Sequence, residues 1–252
     1  MARTLSVHSR RREVVTVSER TVAQPLVDGP VVGFVAQFVL LAALAAGVGL
    51  GPGGWLAGAG FAVVMCLALT HALRRSGRRT LGAANQVTLV RATLVGGVAA
   101  LVADSVRGHP PVAVLTILAA VALALDAVDG LVARRTGTTS ALGARFDMEV
   151  DAFLILVLSV LVAESWGGWV LAIGGLRYAF VAAARIWPWL SAPLPPRFAR
   201  KTVAALQGIV LVVAAAGVLP RPLAAVAVAA ALGLLAWSFA RDIAWLHRAR
   251  PA

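Results

Sequence analysis

Four aspartates at two regular spacings are the side chains in this sequence best suited to chemistry. Asp126 and Asp129 are three positions apart, and Asp147 and Asp151 are four positions apart. On a helix, side chains with these spacings share one face, so two helices joined by a short loop would bring the four carboxylates together. Hard carboxylate oxygens suit Mg²⁺ or Mn²⁺, and four negative charges balance two divalent ions. The pattern predicts a two-metal site.

The segments around these aspartates are strongly apolar. PVAVLTILAAVALAL precedes the first pair, and AFLILVLSVLVA follows the second. One aspartate at the centre of a membrane helix costs about 2.5–3.5 kcal/mol on insertion scales, so a group of four requires compensating positive charge. Bound cations would supply that charge, whereas a buried polar network without cations would leave the carboxylates unpaired.

Apolar residues dominate the whole chain. Of its 252 residues, 60% are hydrophobic and 13% are charged, and the mean hydropathy is +0.87. Soluble domains average roughly 45–50% apolar residues, so the composition indicates an integral membrane protein. The net charge of +12 comes from residues between the apolar runs, which favours lipid headgroups over nucleic acid as the anionic partner.

Eight apolar runs long enough to span a membrane follow one another along the chain. They cover residues 31–50, 55–73, 87–104, 110–133, 143–163, 169–187, 202–219 and 222–246. The predicted fold is therefore an all-α, polytopic membrane helix bundle. Its predicted parts are a disordered cytoplasmic tail, an N-terminal transmembrane hairpin, a catalytic transmembrane domain and a second cytoplasmic tail, at residues 1–29, 30–73, 74–246 and 247–252. A signal peptide is the alternative for the N-terminus, but the first apolar run is too long for a typical one.

Basic residues indicate how the bundle is oriented. With the N-terminal tail inside, Arg107 and Arg221 are predicted on the outer face, and Arg91 and Arg177 lie within spans; every other basic residue of the 23 falls on the inner face. Positive charge concentrates in the cytoplasmic loops of membrane proteins. The aspartates are thus predicted at the cytoplasmic face of the cell membrane, where nucleotides and divalent ions are found.

Asn85, Thr88 and Arg91 form a second polar pattern, which recurs every three residues on the third span. In one interpretation the arginine extends to the membrane surface and the other two residues cap the helix. In the other, the stripe faces a polar cavity. The residues alone leave both interpretations open.

The aspartates belong to a longer motif, Asp126-x2-Asp129-Gly130-x2-Ala133-Arg134-x8-Gly143-x3-Asp147-x3-Asp151. Every fixed position and gap in it matches the pattern of the CDP-alcohol phosphotransferase family, which the sequence therefore resembles over residues 77–246. The resemblance implies a six-helix catalytic core, to which the N-terminal hairpin is an addition. It also implies a metal-dependent transferase of phospholipid biosynthesis.

The resemblance assigns a role to individual residues of the motif. Two ions of Mg²⁺ or Mn²⁺ would be held by Asp126, Asp129, Asp147 and Asp151. Asp151 would also be the base that takes the proton of the acceptor hydroxyl. The CDP moiety would contact Gly130, Arg134 and Ser140. A glycine lets a nucleotide approach the helix backbone closely, and an arginine can pair with a phosphate.

The start of the seventh span carries candidates for the acceptor pocket. Lys201 is the only lysine in a chain whose other basic residues are arginine. Lys201-Thr202 followed by Gln207 resembles the family pattern at this place, although the usual glycine before the lysine is absent. Arg177 and Arg185 on the sixth span are predicted to join Lys201 in an anion-binding pocket. Alternatively, Lys201 contributes only to topology and the arginines extend to the headgroups.

The function implied by the resemblance is transfer of the phosphatidyl group of CDP-diacylglycerol to a polar alcohol, with release of CMP. A phosphorylated acceptor, such as glycerol 3-phosphate or inositol phosphate, fits a pocket of Lys and Arg best. Two other reactions remain open: a cardiolipin synthase that uses phosphatidylglycerol, and transfer from a soluble CDP-alcohol donor to a lipid acceptor. The chain is also compatible with a homodimer. A cation or proton transporter is the rival from another class. Transporters commonly have inverted repeats and binding sites near the midplane, and neither pattern is present in the sequence.

Overall fold

The computed structural model describes residues 28–76, 83–105, 108, 111–136, 141–195 and 198–249, and this part of the chain is helical without any strand. Its eight α-helices are α1 Asp28–Val48, α2 Pro52–Ser76, α3 Ala83–Ser105, α4 Val112–Thr136, α5 Ala141–Trp166, α6 Leu171–Ile186, α7 Phe198–Ala216 and α8 Arg221–Arg248. Short 3-10 turns, Gly168–Val170 and Pro188–Ser191, flank α6. Each helix falls on one of the eight predicted apolar runs, so the predicted all-α bundle is confirmed. Residues 1–27 of the predicted N-terminal tail and Ser140 lie outside the described residues, and residues 28–29 of that tail belong to α1.

Six of the described helices, α1, α2, α3, α6, α7 and α8, are long and apolar enough to cross a membrane. The chain is therefore a multi-pass membrane protein. The two exceptions are the helices that carry the aspartates. The apolar part of α4 is confined to Val112–Asp126, and α5 has charged residues in its first turns. In both helices charged residues, including those of the acidic cluster, interrupt the apolar sequence.

Helix α3 lies at the centre of the bundle. In its apolar stretch 72% of the residues are buried, compared with 17–28% in the other candidate spans. It packs against α1, α2, α4 and α5, and Val98, Ala100 and Leu101 belong to the buried core. Gly96 allows the close approach of α1 and α2, because a Cβ at this position would collide with Gln37 and Phe61. Helix α3 thereby connects the N-terminal hairpin to the helices that carry the aspartates.

The N-terminal hairpin, α1 and α2, is joined to α3 by a hydrogen-bonded carboxylate as well as by packing. Asp104, near the end of α3, accepts a bond from the Gly51 N–H at 2.9 Å and a longer one from the Gly54 N–H at 3.4 Å. The first amides of a helix have no partner within the helix, and an aspartate oxygen is a favourable acceptor there. Asp104 therefore caps α2 from a different helix.

Helix α7 lies against α4 and α5 and is held there with the help of α8. The buried Gln207 side chain donates from Nε2 to the carbonyl of Ala231 at 2.9 Å. Near the other end of the same pair, Arg200 Nε lies 3.4 Å from the Asp242 carboxylate, which is buried. These two contacts orient the first turns of α7, including Lys201, toward the helices that carry the aspartates.

Candidate metal centre

Three aspartates meet where α4 and α5 run side by side. One carboxylate oxygen from each of Asp126, Asp147 and Asp151 lies within 4.8 Å of the other two. Asp147 and Asp151 share a face because they are four residues apart on α5, and α4 supplies Asp126 from the adjacent helix. The sequence pattern predicted this convergence for helices joined by a short loop, and the structure brings the three residues together.

Other residues of the predicted site lie beyond what the structure describes in detail. Asp129, Gly130 and Arg134 are on α4, one to two turns after Asp126, but only their helical backbone is described. Ser140 lies in the undescribed connection between α4 and α5. The roles predicted for these four residues therefore stay predictions.

Arg91 of α3 contacts all three aspartates of the cluster. Its Nη1 group lies 3.0 Å from Asp126 Oδ1; Nη1 also donates to Asp147, and Nη2 donates to Asp151. The arginine side chain is only 1% exposed, so it does not extend to the membrane surface. Thr88, one turn earlier on α3, is buried as well. Of the two interpretations of this polar stripe, the structure supports the one in which it faces a polar site.

The sequence pattern did not place Arg91 with the aspartates of this cluster. The signal was present, because an arginine inside an apolar span is costly and normally has a partner or a function. Its partners are 35, 56 and 60 positions away, however, and no local spacing connects them. Recognising the contact required knowing that α3 packs against both α4 and α5.

The charges of the cluster are unbalanced. When all three carboxylates are ionised, they and the guanidinium have a net charge of about −2, because arginine stays protonated in proteins. The side chains of the three aspartates are each exposed by 35–39%, whereas Arg91 is buried. The cluster therefore has a buried cationic side and an accessible anionic side. Hard oxygen donors with excess negative charge fit a divalent cation such as Mg²⁺ or Mn²⁺.

The predicted acceptor residues are placed differently from one another. Lys201, in the first turn of α7, is exposed and close enough to Asp126 for the two charges to interact. Arg177 pairs with Glu149 of α5, a residue two positions from both Asp147 and Asp151. On a helix, a two-residue step points to a different face. Lys201 is thus within electrostatic range of Asp126, whereas Arg177 has a partner outside the cluster.

Glu149 had not been considered from sequence as a partner for Arg177. The pair is only partly shielded from solvent, with side-chain exposures of 27% for Arg177 and 59% for Glu149. Partly exposed pairs of this kind typically contribute 1 kcal/mol or less. Arg185 is exposed, and its place in the pocket or among the headgroups stays a prediction.

The chain matches the family model described as CDP-alcohol phosphatidyltransferase over residues 81–240. The match covers more than half of the 252 residues and includes the four aspartates of the motif, Asp126, Asp129, Asp147 and Asp151. It excludes α1 and α2, in agreement with the prediction that the hairpin is an addition to the family core. No curated protein and no solved structure matches the chain.

Proposed function

The chain belongs to the CDP-alcohol phosphatidyltransferase family, and from this membership we propose that it transfers the phosphatidyl group of CDP-diacylglycerol to a polar alcohol. In this reaction the acceptor oxygen forms a bond to the β-phosphorus, and the bond between that phosphorus and the bridging oxygen breaks. CMP leaves with the bonding electrons, and the acceptor hydroxyl gives up its proton. The observation that carries the proposal is the convergence of Asp126, Asp147 and Asp151 from two helices of the matched region.

The carboxylates would hold the divalent cations on which the reaction depends. We assign the metal site to Asp126, Asp129, Asp147 and Asp151, with Mg²⁺ or Mn²⁺ as the ions. Bound there, the cations would neutralise the charge of the pyrophosphate, which is the main requirement of phosphoryl-type transfer. The exposed side of the aspartates supports this assignment, because it leaves room for ions and a substrate beside Arg91.

The remaining steps are assigned to residues of the chain itself. Asp151 takes the proton of the acceptor hydroxyl. As a general base it would have to lie within hydrogen-bond reach of that proton. Gly130 lets the nucleotide approach the backbone of α4, and Arg134 and Ser140 contact the CDP moiety. These assignments follow the family pattern at the matching positions.

Lys201 is the best-supported residue for the acceptor site. It is exposed at the start of α7, and it is within electrostatic range of Asp126, which supports a role in holding an anionic acceptor. This placement favours a phosphorylated acceptor, such as glycerol 3-phosphate or inositol phosphate. Arg177 would join the pocket only by leaving Glu149, which makes its part secondary.

The active site is assigned to the cytoplasmic face of the membrane. The distribution of basic residues in the sequence supports this orientation. The donor lipid would enter from the surrounding bilayer, and the polar acceptor from the aqueous side. A homodimer is compatible with this arrangement.

The decisive experiment measures CMP release by the purified full-length chain in lipid nanodiscs with CDP-diacylglycerol and Mg²⁺. Separate reactions receive glycerol 3-phosphate, inositol phosphate, a neutral alcohol or phosphatidylglycerol. We expect CMP release and a new phospholipid with one phosphorylated acceptor, and loss of both in EDTA. Cation flux across proteoliposomes without CMP release under any of these conditions would instead support a transporter and contradict the proposal.

A further inference from the structure

The buried arginine of the cluster has a function that the family pattern does not assign to it. Arg91 lies outside the motif of Asp126 to Asp151, on a third helix, yet it contacts Asp126, Asp147 and Asp151 at once. A single guanidinium therefore links α3 to α4 through one aspartate and to α5 through two.

The geometry of a guanidinium explains why one residue can make all these contacts. Arginine presents five N–H donors in a rigid planar fork, and here Nη1 serves Asp126 and Asp147 while Nη2 serves Asp151. A lysine ammonium has the same charge but is a compact point donor on a flexible stem. The arrangement thus uses the shape of arginine as well as its charge.

The contacts come from the buried side of the cluster. Arg91 is 1% exposed, whereas the three aspartates are exposed by about a third. A carboxylate has two oxygens and about four lone-pair sites, so an oxygen contact with the arginine leaves capacity for a second partner. A cation arriving from the exposed side can bind these carboxylates while the guanidinium stays where it is.

We infer that Arg91 is a positioning residue that holds the three carboxylates in place for metal binding and stays in contact with them when the metal is bound. The inference rests on the proposed metal site. The alternative is that Arg91 only substitutes for the metal and is displaced by it. The two roles predict opposite changes in metal affinity when Arg91 is replaced. Removing a positioning residue weakens metal binding, whereas removing a competitor strengthens it.

The test is Mn²⁺ binding to the metal-free full-length protein in detergent, measured without substrate from the electron paramagnetic resonance signal of free Mn²⁺. Arg91→Lys keeps the positive charge and removes the fork. We expect its Kd to rise by roughly 10–100-fold, as is typical when a partner of a metal ligand is lost. Arg200→Lys is the matched control, because it makes the same exchange in an arginine–carboxylate pair away from the cluster, the pair with Asp242; the Kd of this variant should equal that of the parent.

The outcomes separate the inference from the metal site itself. No Mn²⁺ binding by the parent would contradict the proposed metal site. Binding by the parent with an unchanged or lower Kd in Arg91→Lys would overturn the positioning role and leave the metal site intact.

A second measurement uses the unaltered protein and stays informative if Arg91→Lys does not fold. Phenylglyoxal modifies accessible arginines, and mass spectrometry of peptides locates the modification. We expect Arg91 to stay unmodified with and without Mn²⁺, while the exposed Arg185 reacts in both cases. Modification of Arg91 when Mn²⁺ is added would show that the metal displaces it and would overturn the inference.

Discussion

Arg91 of α3 and Asp151 of α5 are 60 positions apart in the chain and in direct contact, with the Arg91 Nη2 group donating to the carboxylate. Arg91 is buried, and Asp151 is the residue to which we assign the base of the reaction. Removing the Asp151 carboxylate would leave the buried guanidinium with less compensating charge, which destabilises the fold. The packing of α3 is thereby coupled to the geometry of the site.

The first prediction concerns the metal ligands. Asp147→Asn keeps the size of the side chain but removes one of the charges that would hold the cations. We expect CMP release to fall by more than the roughly 10–100-fold that loss of an outer partner of a metal ligand costs. The assay is CMP release at saturating CDP-diacylglycerol over a range of Mg²⁺ concentrations.

Glu164→Gln is the matched control for this substitution. It makes the same acid-to-amide change at an exposed position near the C-terminal end of α5, and its CMP release should equal that of the parent. An Asp147→Asn protein that turns over normally in EDTA would contradict the metal-dependent mechanism.

The aspartate cluster was predictable from sequence because its geometry is mostly local. Spacings of three and four residues place carboxylates on one helical face whatever the rest of the fold does. The eight helices were predictable for a similar reason, since each is a long apolar run bounded by polar residues. The ends of the helices were less certain: α5 begins at Ala141, two residues before its predicted start.

The contacts between distant helices were not predictable. The two partners of Arg91 on α5 depend on how α3 packs against that helix, and a helical stripe shows only that Arg91 has a polar neighbour somewhere. Arg177 was expected in the acceptor pocket because its charge suits an anion, but Glu149 offers a partner on the adjacent helix. In both cases the partner depends on which helices pack together, and the periodicity of a single sequence does not show this.

The second prediction concerns the attachment of the N-terminal hairpin. Asp104→Ala removes the carboxylate that accepts bonds from Gly51 and Gly54. Loss of an N-terminal cap typically costs about 0.5–2 kcal/mol, so we expect a lower thermal midpoint in nanodiscs by tryptophan fluorescence. CMP release per folded molecule should be unchanged, because Asp104 is at the C-terminal end of α3, several helical turns beyond Arg91.

Asp104→Asn refines this test, since an amide oxygen is also a favourable cap acceptor. It should recover most of the lost stability. Equal midpoints for the parent and Asp104→Ala would show that apolar packing alone attaches the hairpin to α3.

The third prediction compares two buried glutamines in the apolar part of the bundle. Among the described residues, the amide of Gln37 on α1 has no hydrogen-bond partner, whereas Gln207 on α7 donates to the Ala231 carbonyl. An unpaired buried amide costs roughly 1–3 kcal/mol. Gln37→Met, which keeps an unbranched side chain of similar size, should therefore raise the thermal midpoint.

Gln207→Met is the matched comparison. It removes an amide oxygen that has no partner among the described residues, but it also removes the bond between α7 and α8, which contributes about 1 kcal/mol. It should therefore raise the midpoint less than Gln37→Met does. A lower midpoint in Gln37→Met would mean that the Gln37 amide has a hydrogen-bond partner in the folded protein, and would contradict the interpretation of this amide as unpaired.

The last prediction concerns the choice of acceptor and rests on Lys201. A phosphate monoester carries about −1.5 to −2 charges at neutral pH, and Lys201 is the exposed cation whose charge interacts with Asp126. Lys201→Ala should therefore raise the KM for the phosphorylated acceptor more than the KM for CDP-diacylglycerol. Loss of a charge-assisted hydrogen bond of roughly 1.5–3 kcal/mol corresponds to about a 10- to 100-fold decrease in kcat/KM for the acceptor.

Two further variants separate a specific contact from general positive charge. Lys201→Arg keeps the charge but not the compact donor, so it should recover only part of the lost kcat/KM. Arg248→Ala removes an exposed charge from the end of α8 and should leave the acceptor KM unchanged. If Lys201→Ala also leaves that KM unchanged, Lys201 contributes only to membrane topology. A neutral alcohol would then become the better candidate for the acceptor.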